Sequence, residues 1–254
     1  MSNGAKKNLV VGNWKMQTFL KEGRELARTL EGEITGEEGE IVVCPPFTQL
    51  AIVKANIHKI HLGAQDLFWE TEGAYTGEIS GKMLQEIGCE YVIVGHSERR
   101  KYLGETDAMI NKKMLAAFKS GLGPVLCVGE SLEQREKDQT LEIVEKQLLF
   151  SFAGVNAPNN FVVAYEPIWA IGTGQTVEPK DAEMVARYLR QIISKRYSES
   201  TASQGKILYG GSVDGQNVIH FMQQENVDGV LVGGASVDAA EFIKIVKAVD
   251  NAKG

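Results

Sequence analysis

Short runs of Val, Ile and Leu recur along the chain, and each is followed by a break at Gly, Pro or small residues. A longer stretch then follows in which apolar positions recur with the period of a helix. The apolar runs predict eight strands, at residues 9–11, 41–43, 61–64, 91–94, 124–128, 161–165, 206–209 and 229–232. The stretches between and after them predict eight helices, at residues 19–30, 48–55, 80–87, 106–119, 132–152, 179–197, 215–223 and 237–249.

The predicted strands are almost uniformly apolar, which is typical of parallel strands covered on both faces. Eight successive strand–helix units favour an α/β fold of the closed (β/α)8 barrel type, with eight parallel strands ringed by helices, over an open doubly wound sheet. No Pro/Ser-rich stretch, low-complexity tract or long block of charge marks a linker. The sequence therefore predicts a single barrel domain over residues 1–254.

Composition argues against several other classes of protein. Hydrophobic residues make up 43% and charged residues 24% of the chain, close to globular averages. A formal net charge of −6 argues against binding to nucleic acid, which needs a basic surface. The cysteines Cys44, Cys89 and Cys127 form no CxxC pair and suit buried, reduced thiols. Residues 1–7 are polar and the apolar run behind them is too short for a signal peptide, so we expect a cytoplasmic protein that does not enter a membrane.

Polar residues gather at the carboxyl ends of the predicted strands, where barrels of this type build active sites. Lys15 follows the first strand, and beside Asn13 it would neutralise a bound phosphate or a developing oxyanion. The alternative is a solvated surface lysine, which is the usual case for a single lysine in such a turn. His96 follows the fourth strand and precedes a helical turn, whose free N–H groups disfavour an imidazolium. Glu166 ends the sixth strand next to Pro167. Opposite a histidine and a lysine, a general base is a better interpretation of Glu166 than a surface ion pair.

Three Gly-bearing segments predict a lid and a phosphate site. Residues 168–174 mix glycines with large apolar side chains, among them Trp169, which we expect to be exposed. Such a loop suits a lid that excludes water, and packing of Trp169 against a neighbouring loop is the alternative. Residues 209–212 (YGGS) and 233–236 (GGAS) follow the last two strands, where this fold usually binds phosphate through backbone N–H groups.

Five motifs give the chain a resemblance to the triosephosphate isomerase family that runs nearly end to end. They are residues 12–16 (GNWKM), 95–100 (GHSERR), 164–174 (AYEPIWAIGTG), 209–212 (YGGS) and 231–235 (LVGGA). The family's glutamate base, neutral histidine and closing loop are a well-known case of pKa tuning and lid closure in enzymes. The resemblance implies a TIM barrel and an isomerase of glycolysis and gluconeogenesis.

The resemblance implies a reaction in which dihydroxyacetone phosphate and D-glyceraldehyde 3-phosphate interconvert by proton transfer through an enediolate, with no metal and no organic cofactor. Glu166 would shuttle the proton, neutral His96 would polarise the oxygens, and Lys15 and Asn13 would stabilise the enediolate and bind substrate. The remaining substrate and phosphate positions implied by the motifs are Ile171, Gly172, Ser212, Leu231, Gly233 and Gly234. The resemblance implies a lid that comprises Pro167, Ile168, Trp169, Ala170, Thr173 and Gly174, with Ile171 and Gly172 between them.

Supporting roles are also implied by the resemblance: Glu98 as a carboxylate beside Lys15 and His96, Ser97 as a partner of Glu166 when the lid is open, Glu130 and Arg135 near the lid, and Cys127 as a buried small residue. Residues 65–77, which begin at Gln65, match the family's dimerisation loop, with Thr76 and Gly77 in its tip. A long, partly apolar loop is hard to leave in water. The sequence therefore predicts a symmetric homodimer.

Two positions depart from the common family pattern, because Gln175 replaces a frequent lysine and Val177 a frequent alanine. They affect the expectation for lid motion and not for the chemistry. Two rival functions stay open: an aldolase that forms a Schiff base, and a binding protein without catalysis. An aldolase needs a lysine inside the barrel, and the one candidate, Lys206, stands at the wrong end of its strand. A binding protein without catalysis should lack Glu166, His96 or Lys15, and all three are present.

Overall fold

Eight parallel strands close into a barrel in the computed structural model, which describes residues 7–34, 39–170 and 177–252. Each strand pairs with the next along the chain, and the last pairs with the first. The strands are β1 (Leu9–Asn13), β2 (Glu40–Cys44), β3 (His61–Ala64), β4 (Tyr91–Val94), β5 (Gly123–Val128), β6 (Val162–Tyr165), β7 (Lys206–Tyr209) and β8 (Gly229–Val232). The predicted barrel is therefore confirmed.

The first strand is longer than predicted. Gly12 and Asn13 continue the ladder of β1 because they pair with Val43 and Cys44 of β2. Asn13 is therefore held by strand hydrogen bonds, and its prediction as part of the loop after the strand is wrong.

Helices surround the barrel and begin at residues whose side chains cap them. Ser80, Thr106, Ser131 and Asp238 each accept a hydrogen bond from the backbone N–H three residues on, which satisfies a donor that the helix cannot use itself. The α-helices are α1 (Leu20–Glu33), α2 (Leu50–Lys54), α3 (Gly81–Ile87), α4 (Ser97–Leu103), α5 (Asp107–Lys119), α6 (Leu132–Glu136), α7 (Thr140–Ser151), α8 (Pro179–Arg196), α9 (Glu199–Gln204), α10 (Val218–Met222) and α11 (Ala239–Asn251).

Several helices differ from the prediction. The predicted helix 132–152 is divided into α6 and α7, because Asp138 between them adopts a left-handed backbone with φ 54°. The helix α9 is not predicted, and α4 is predicted only as a helical turn after His96. The predicted helix 215–223 is confined to α10, because the segment before it forms a turn in which Asp214 accepts hydrogen bonds from the backbone N–H groups of Gln216 and Asn217.

Two hydrophobic cores use opposite faces of the same strands. The outer core lies between the strands and the helices. The inner core fills the barrel with Leu9, Val11, Val42, Cys44, Tyr91, Ile93, Val125, Cys127, Val162, Ala164, Leu208 and Leu231. Because successive side chains of a strand point to opposite faces, the residue two positions after an inner-core residue also faces the barrel axis.

The predicted burial of the three cysteines is confirmed: Cys44, Cys89 and Cys127 are free and buried. Within the described ranges, no helix combines the length and the apolar character needed to cross a membrane.

Candidate active site

Strand alternation brings the proposed base to the mouth of the barrel. Val162 and Ala164 belong to the inner core, so Glu166 is next on the inward face at the carboxyl end of β6. Its backbone N–H donates to the carbonyl of Val128 at 2.7 Å, which extends the β5–β6 ladder by one residue. The same alternation along β1, through Leu9 and Val11, places Asn13 at the same rim.

The Glu166 carboxylate is buried and held by the loop after β4. Its Oε2 accepts a hydrogen bond from the Ser97 backbone N–H at 3.0 Å, and its Oε1 lies 3.0 Å from Nε2 of His96. Burial raises the pKa of Glu166, but His96, the Ser97 N–H and the Cys127 thiol together lower it below its usual value. The structure thus holds Glu166 in its ionised form.

His96 lies at the N-terminus of α4 with both ring nitrogens engaged. The Glu98 backbone N–H donates to Nδ1 at 3.2 Å, which requires a lone pair there and leaves the ring proton on Nε2, facing Glu166. Burial lowers the pKa of His96, but the Glu166 and Glu98 carboxylates raise it, and the pKa of His96 lies above its usual value. The N–H of Glu98 favours the predicted neutral ring, whereas Glu166 in its present position favours an imidazolium.

Lys15 has a left-handed backbone, with φ 53°, that is uncommon for a non-glycine residue. The side-chain oxygen of Asn13 accepts from its backbone N–H at 3.0 Å, and the amide of Gln65 donates to its carbonyl at 2.7 Å. Its ammonium group lies 2.5 Å from Oε1 of Glu98. Lys15 is therefore fixed at the backbone and at the tip of its side chain.

These side chains line one cleft of about 320 Å³ at the carboxyl end of the barrel. The cleft is also lined by β8 and by the loops after β7 and β8, which include the predicted residues Ser212, Leu231, Gly233 and Gly234. A Cβ atom at Gly233 would lie 3.1 Å from Cε of Lys15, and one at Gly210 would lie 3.0 Å from Cγ of Glu166. Glycine at these two positions gives both side chains room at the cleft.

The loop after β7 contains cleft residues that the sequence prediction missed. Asp214 and Asn217 line the cleft, the Asn217 side-chain oxygen accepts from the Asp214 N–H at 3.0 Å, and the Asn217 amide lies 3.4 Å from the Ser212 carbonyl. The spacing of Asp214 and Asn217 before an apolar run is a helix-start signal. That signal could predict the turn, but not its position over a ligand cleft.

The first residues of the predicted lid are docked against the barrel. The indole N–H of Trp169 donates to Oε1 of Glu130 at 2.9 Å, and the Arg135 guanidinium lies 4.6 Å from the centre of the indole ring. The Ser212 hydroxyl donates to the Ala170 carbonyl at 2.8 Å. Trp169 is partly buried against the outer core, so the prediction of an exposed Trp169 is wrong and the packing alternative is the one observed.

The remaining lid residues of the prediction, Ile171, Gly172, Thr173 and Gly174, lie outside the described residues, as does Gln175. Pro167 is buried, and Ile168 begins a 3-10 turn, Ile168–Ala170. Val177 is buried at the far end of the lid segment. Among the residues that are described, no group of three His, Cys, Asp or Glu side chains suits a metal ion.

The predicted dimerisation loop protrudes from the carboxyl end of β3 as an ordered arm. The Phe68 N–H donates to the Ile79 carbonyl at 2.8 Å, and the Phe68 ring packs 4.1 Å from Trp69 and 4.8 Å from Tyr75. Thr76 and Gly77 in its tip are exposed.

An apolar surface lies beside Lys15 and is lined by Met16, Tyr102 and Leu103, which are 97%, 69% and 62% exposed.

Comparison with known proteins gives a consistent result. The family model described as triosephosphate isomerase matches residues 8–249. A protein of that name from Thermoanaerobacter pseudethanolicus is 50% identical, with 94% of this chain and 98% of the relative covered. Those from Moorella thermoacetica and Dictyoglomus thermophilum are 49% and 46% identical, covering 94% and 95% of this chain and 97% and 99% of the relatives.

Proposed function

The chain belongs to the triosephosphate isomerase family, and on this premise we propose that it interconverts dihydroxyacetone phosphate and D-glyceraldehyde 3-phosphate at the cleft of Glu166, His96 and Lys15. One observation carries the proposal: a buried carboxylate, an imidazole 3.0 Å from it and an ammonium group line the same cleft at the catalytic rim of the barrel. The reaction oxidises one carbon and reduces its neighbour within a single molecule. It therefore needs proton transfer and no external oxidant or reductant.

Glu166 is the base that removes a proton from one substrate carbon and returns it to the adjacent carbon. In its described position the carboxylate is bonded to Ser97 and His96, so it must turn away from both to reach substrate. This movement takes the carboxylate away from the Ser97 N–H and from His96, which both lower the pKa of Glu166. The effect of burial, which raises that pKa, is left. Glu166 therefore becomes a stronger base as it enters the substrate-filled cleft.

His96, Lys15 and Asn13 stabilise the enediolate that the proton transfer creates. The Nε2 proton of His96 becomes available to the substrate oxygens when Glu166 leaves. The ammonium group of Lys15 supplies positive charge in the same cleft, and Glu98 orients it. Donors held in place before the reaction act with little reorganisation, which is the most effective form of electrostatic catalysis.

The phosphate of the substrate is bound by backbone groups of Ser212, Gly233 and Gly234, with Gly172 added by the closing lid. The family resemblance also assigns Ile171 and Leu231 to the substrate site. The hydroxyl of Ser212 already links this loop to the lid at Ala170. Closure over the phosphate excludes water and protects the enediolate from elimination of its phosphate group.

The active form is a symmetric homodimer in which the tip of the 65–77 arm covers the apolar surface at Met16, Tyr102 and Leu103. Thr76 then approaches Asn13 and Lys15 of the partner subunit. The high exposure of this surface in the single chain supports the proposal. A folded, fully active monomer in size-exclusion chromatography with light scattering would reject it. A cytoplasmic location is part of the same proposal, and the free cysteines agree with it.

The function is tested by a coupled isomerisation assay of the wild type beside Glu166→Asp, Glu166→Gln and the distant control Glu90→Gln, which removes an exposed carboxylate that pairs with His61. Both Glu166 variants should lose at least about a hundredfold in kcat, within the usual contribution of a general base, and the control should match the wild type. Full activity of Glu166→Gln would overturn the mechanism.

Borohydride reduction in the presence of substrate tests the aldolase alternative. A covalent lysine adduct would support an aldolase, because only a Schiff base is trapped in this way. Binding of the triose phosphates without turnover by the wild type would identify a binding protein instead.

A further inference from the structure

A cluster of four charged side chains, three of them buried, lies behind Lys15 and outside the substrate cleft. The ammonium group of Lys113 lies 2.6 and 2.7 Å from the two carboxylate oxygens of Asp66 and also contacts Glu105. The guanidinium of Arg99 lies 2.8 Å from Asp66 and 2.5 Å from Glu105. Two acids and two bases balance one another, which is the condition under which buried charges are tolerated.

This cluster is joined at two points to the groups that hold Lys15. The Gln65 side-chain amide donates a hydrogen bond to the Lys15 carbonyl, and the next residue along the chain is Asp66. Glu98 bonds the Lys15 ammonium group, and the next residue along the chain is Arg99. The Asp66–Arg99 ion pair therefore closes a ring that starts and ends at Lys15.

We propose that Asp66 and Arg99 are a positioning pair for the reaction, acting on Lys15 through Gln65 and Glu98. The inference rests on the proposed function. Lys15 has an uncommon left-handed backbone, with φ 53°, and such a backbone persists only where its surroundings over-determine it. The pair holds the loop after β3 against the start of α4. Gln65 in that loop and Glu98 in α4 then keep Lys15 in place through its carbonyl and its ammonium group. Without the pair, Gln65 and Glu98 can separate and the lysine loses its place in the cleft.

The charge of Asp66 makes the role testable by pH. The groups that face its carboxylate are Lys113 on α5, Arg99 on α4 and Glu105 after α4. Burial raises the pKa of Asp66 to about 6, with Glu105 also raising it and Lys113 and Arg99 opposing. Below that pH Asp66 is protonated and resembles asparagine, so its attraction for Arg99 weakens.

The experiment compares the wild type with Asp66→Asn, Arg99→Gln and the double variant, by kcat, KM and inhibition by inorganic phosphate between about pH 5 and pH 8. Asp228→Asn is the matched control, because Asp228 pairs with Arg190 at 2.7 Å at the opposite end of the barrel. Arg99 is the more exposed partner, so Arg99→Gln tests the pair even where Asp66→Asn fails to fold.

At about pH 7.5 each single variant should lose about tenfold in kcat/KM, below the hundredfold that a 1 Å misplacement can cost, with weaker binding of phosphate. The double variant should lose no more than the single ones, because both remove one interaction. The kcat/KM of the wild type divided by that of Asp66→Asn should approach one below pH 6. The control Asp228→Asn should lower thermal stability and leave the kinetics unchanged.

A ratio that does not change with pH would overturn the inference, as would additive losses in the double variant. So would equal kinetic losses in Asp228→Asn, or losses that coincide with dissociation to monomers in light scattering. An inactive wild type would instead overturn the proposed function, so the two failures are distinguishable.

Discussion

The hydrogen bond from the Ser97 backbone to Glu166 can be removed by one substitution, Ser97→Pro. Ser97 is the first residue of α4, a position where proline is tolerated because its N–H has no partner within the helix. The preceding residue, His96, has φ −52° and ψ 141°, a conformation that proline permits in the residue before it. The change therefore removes the donor to Glu166 without breaking the helix.

The size of the effect follows from the bond that is lost. A hydrogen bond to a charged group contributes about 1.5–3 kcal/mol, and the proline ring also occupies the space of the hydrogen that points at Oε2. The balance between the held and the released positions of Glu166 should move toward release by about 10- to 150-fold. Because the Ser97 N–H lowers the pKa of Glu166, its removal raises that pKa, and the base becomes protonated at a higher pH.

The measurement is the pH profile of kcat/KM for the wild type, Ser97→Pro and Ser97→Ala. The acid limb of this profile reports the base in the free enzyme, and the substrate's own titration is common to all three proteins. The limb should move to higher pH in Ser97→Pro and stay in place in Ser97→Ala, which keeps the N–H. Superimposed profiles of the two variants, with unchanged helical circular dichroism, would refute the role assigned to this bond.

Three further substitutions test other parts of the structure. Asn217→Ala should raise KM by about five- to thirtyfold, equivalent to 1–2 kcal/mol of lost hydrogen bonding, with kcat little changed; an unchanged KM would contradict the role of the Asn217 turn in shaping the phosphate loop. Gly233→Ala places a methyl group 3.1 Å from Cε of Lys15 and should lower kcat/KM by at least about tenfold, measured beside binding of inorganic phosphate; normal values for both would show that Lys15 adapts. Phe242→Ala empties a fully buried site and should cost about 3–5 kcal/mol in urea unfolding, whereas Phe150→Ala, at 53% exposed, should change stability by less than about 0.5 kcal/mol; equal costs would contradict the core assignment.

The barrel could be predicted from the sequence because its strands are specified locally. Each predicted strand is an apolar run with a clear break after it, and all eight are present. Only the opening turn of the helix α4 could be predicted, because the sequence SERRKYL has little apolar periodicity. It is stabilised instead by tertiary contacts such as that of Arg100 with the carbonyl of Gly95 and the carboxylate of Asp107.

The residues that line the cleft could be predicted where they follow a strand. Glu166, His96 and Lys15 were found in this way, and the structure brings all three to one cleft. The contact of Gln65 with the Lys15 carbonyl joins residues fifty positions apart, and no local pattern specifies it. The exposure of Trp169 was mispredicted for the same reason, because its partner Glu130 belongs to another loop.

The closure of the barrel between β1 and β8 has a consequence for the order in which the molecule assembles. All the other strand pairs join neighbours along the chain, whereas this pair joins residues 9–12 to residues 229–232. The entropic cost of loop closure is therefore largest for the β1–β8 pair, which we call the seam of the barrel. Glu166 directly follows β6 and His96 follows β4, so the two can meet before the seam forms, but Lys15 and Gly233 face each other across it. The ability to bind phosphate should therefore appear in refolding together with amide protection of Val11 and Leu231, and its earlier appearance would contradict this order.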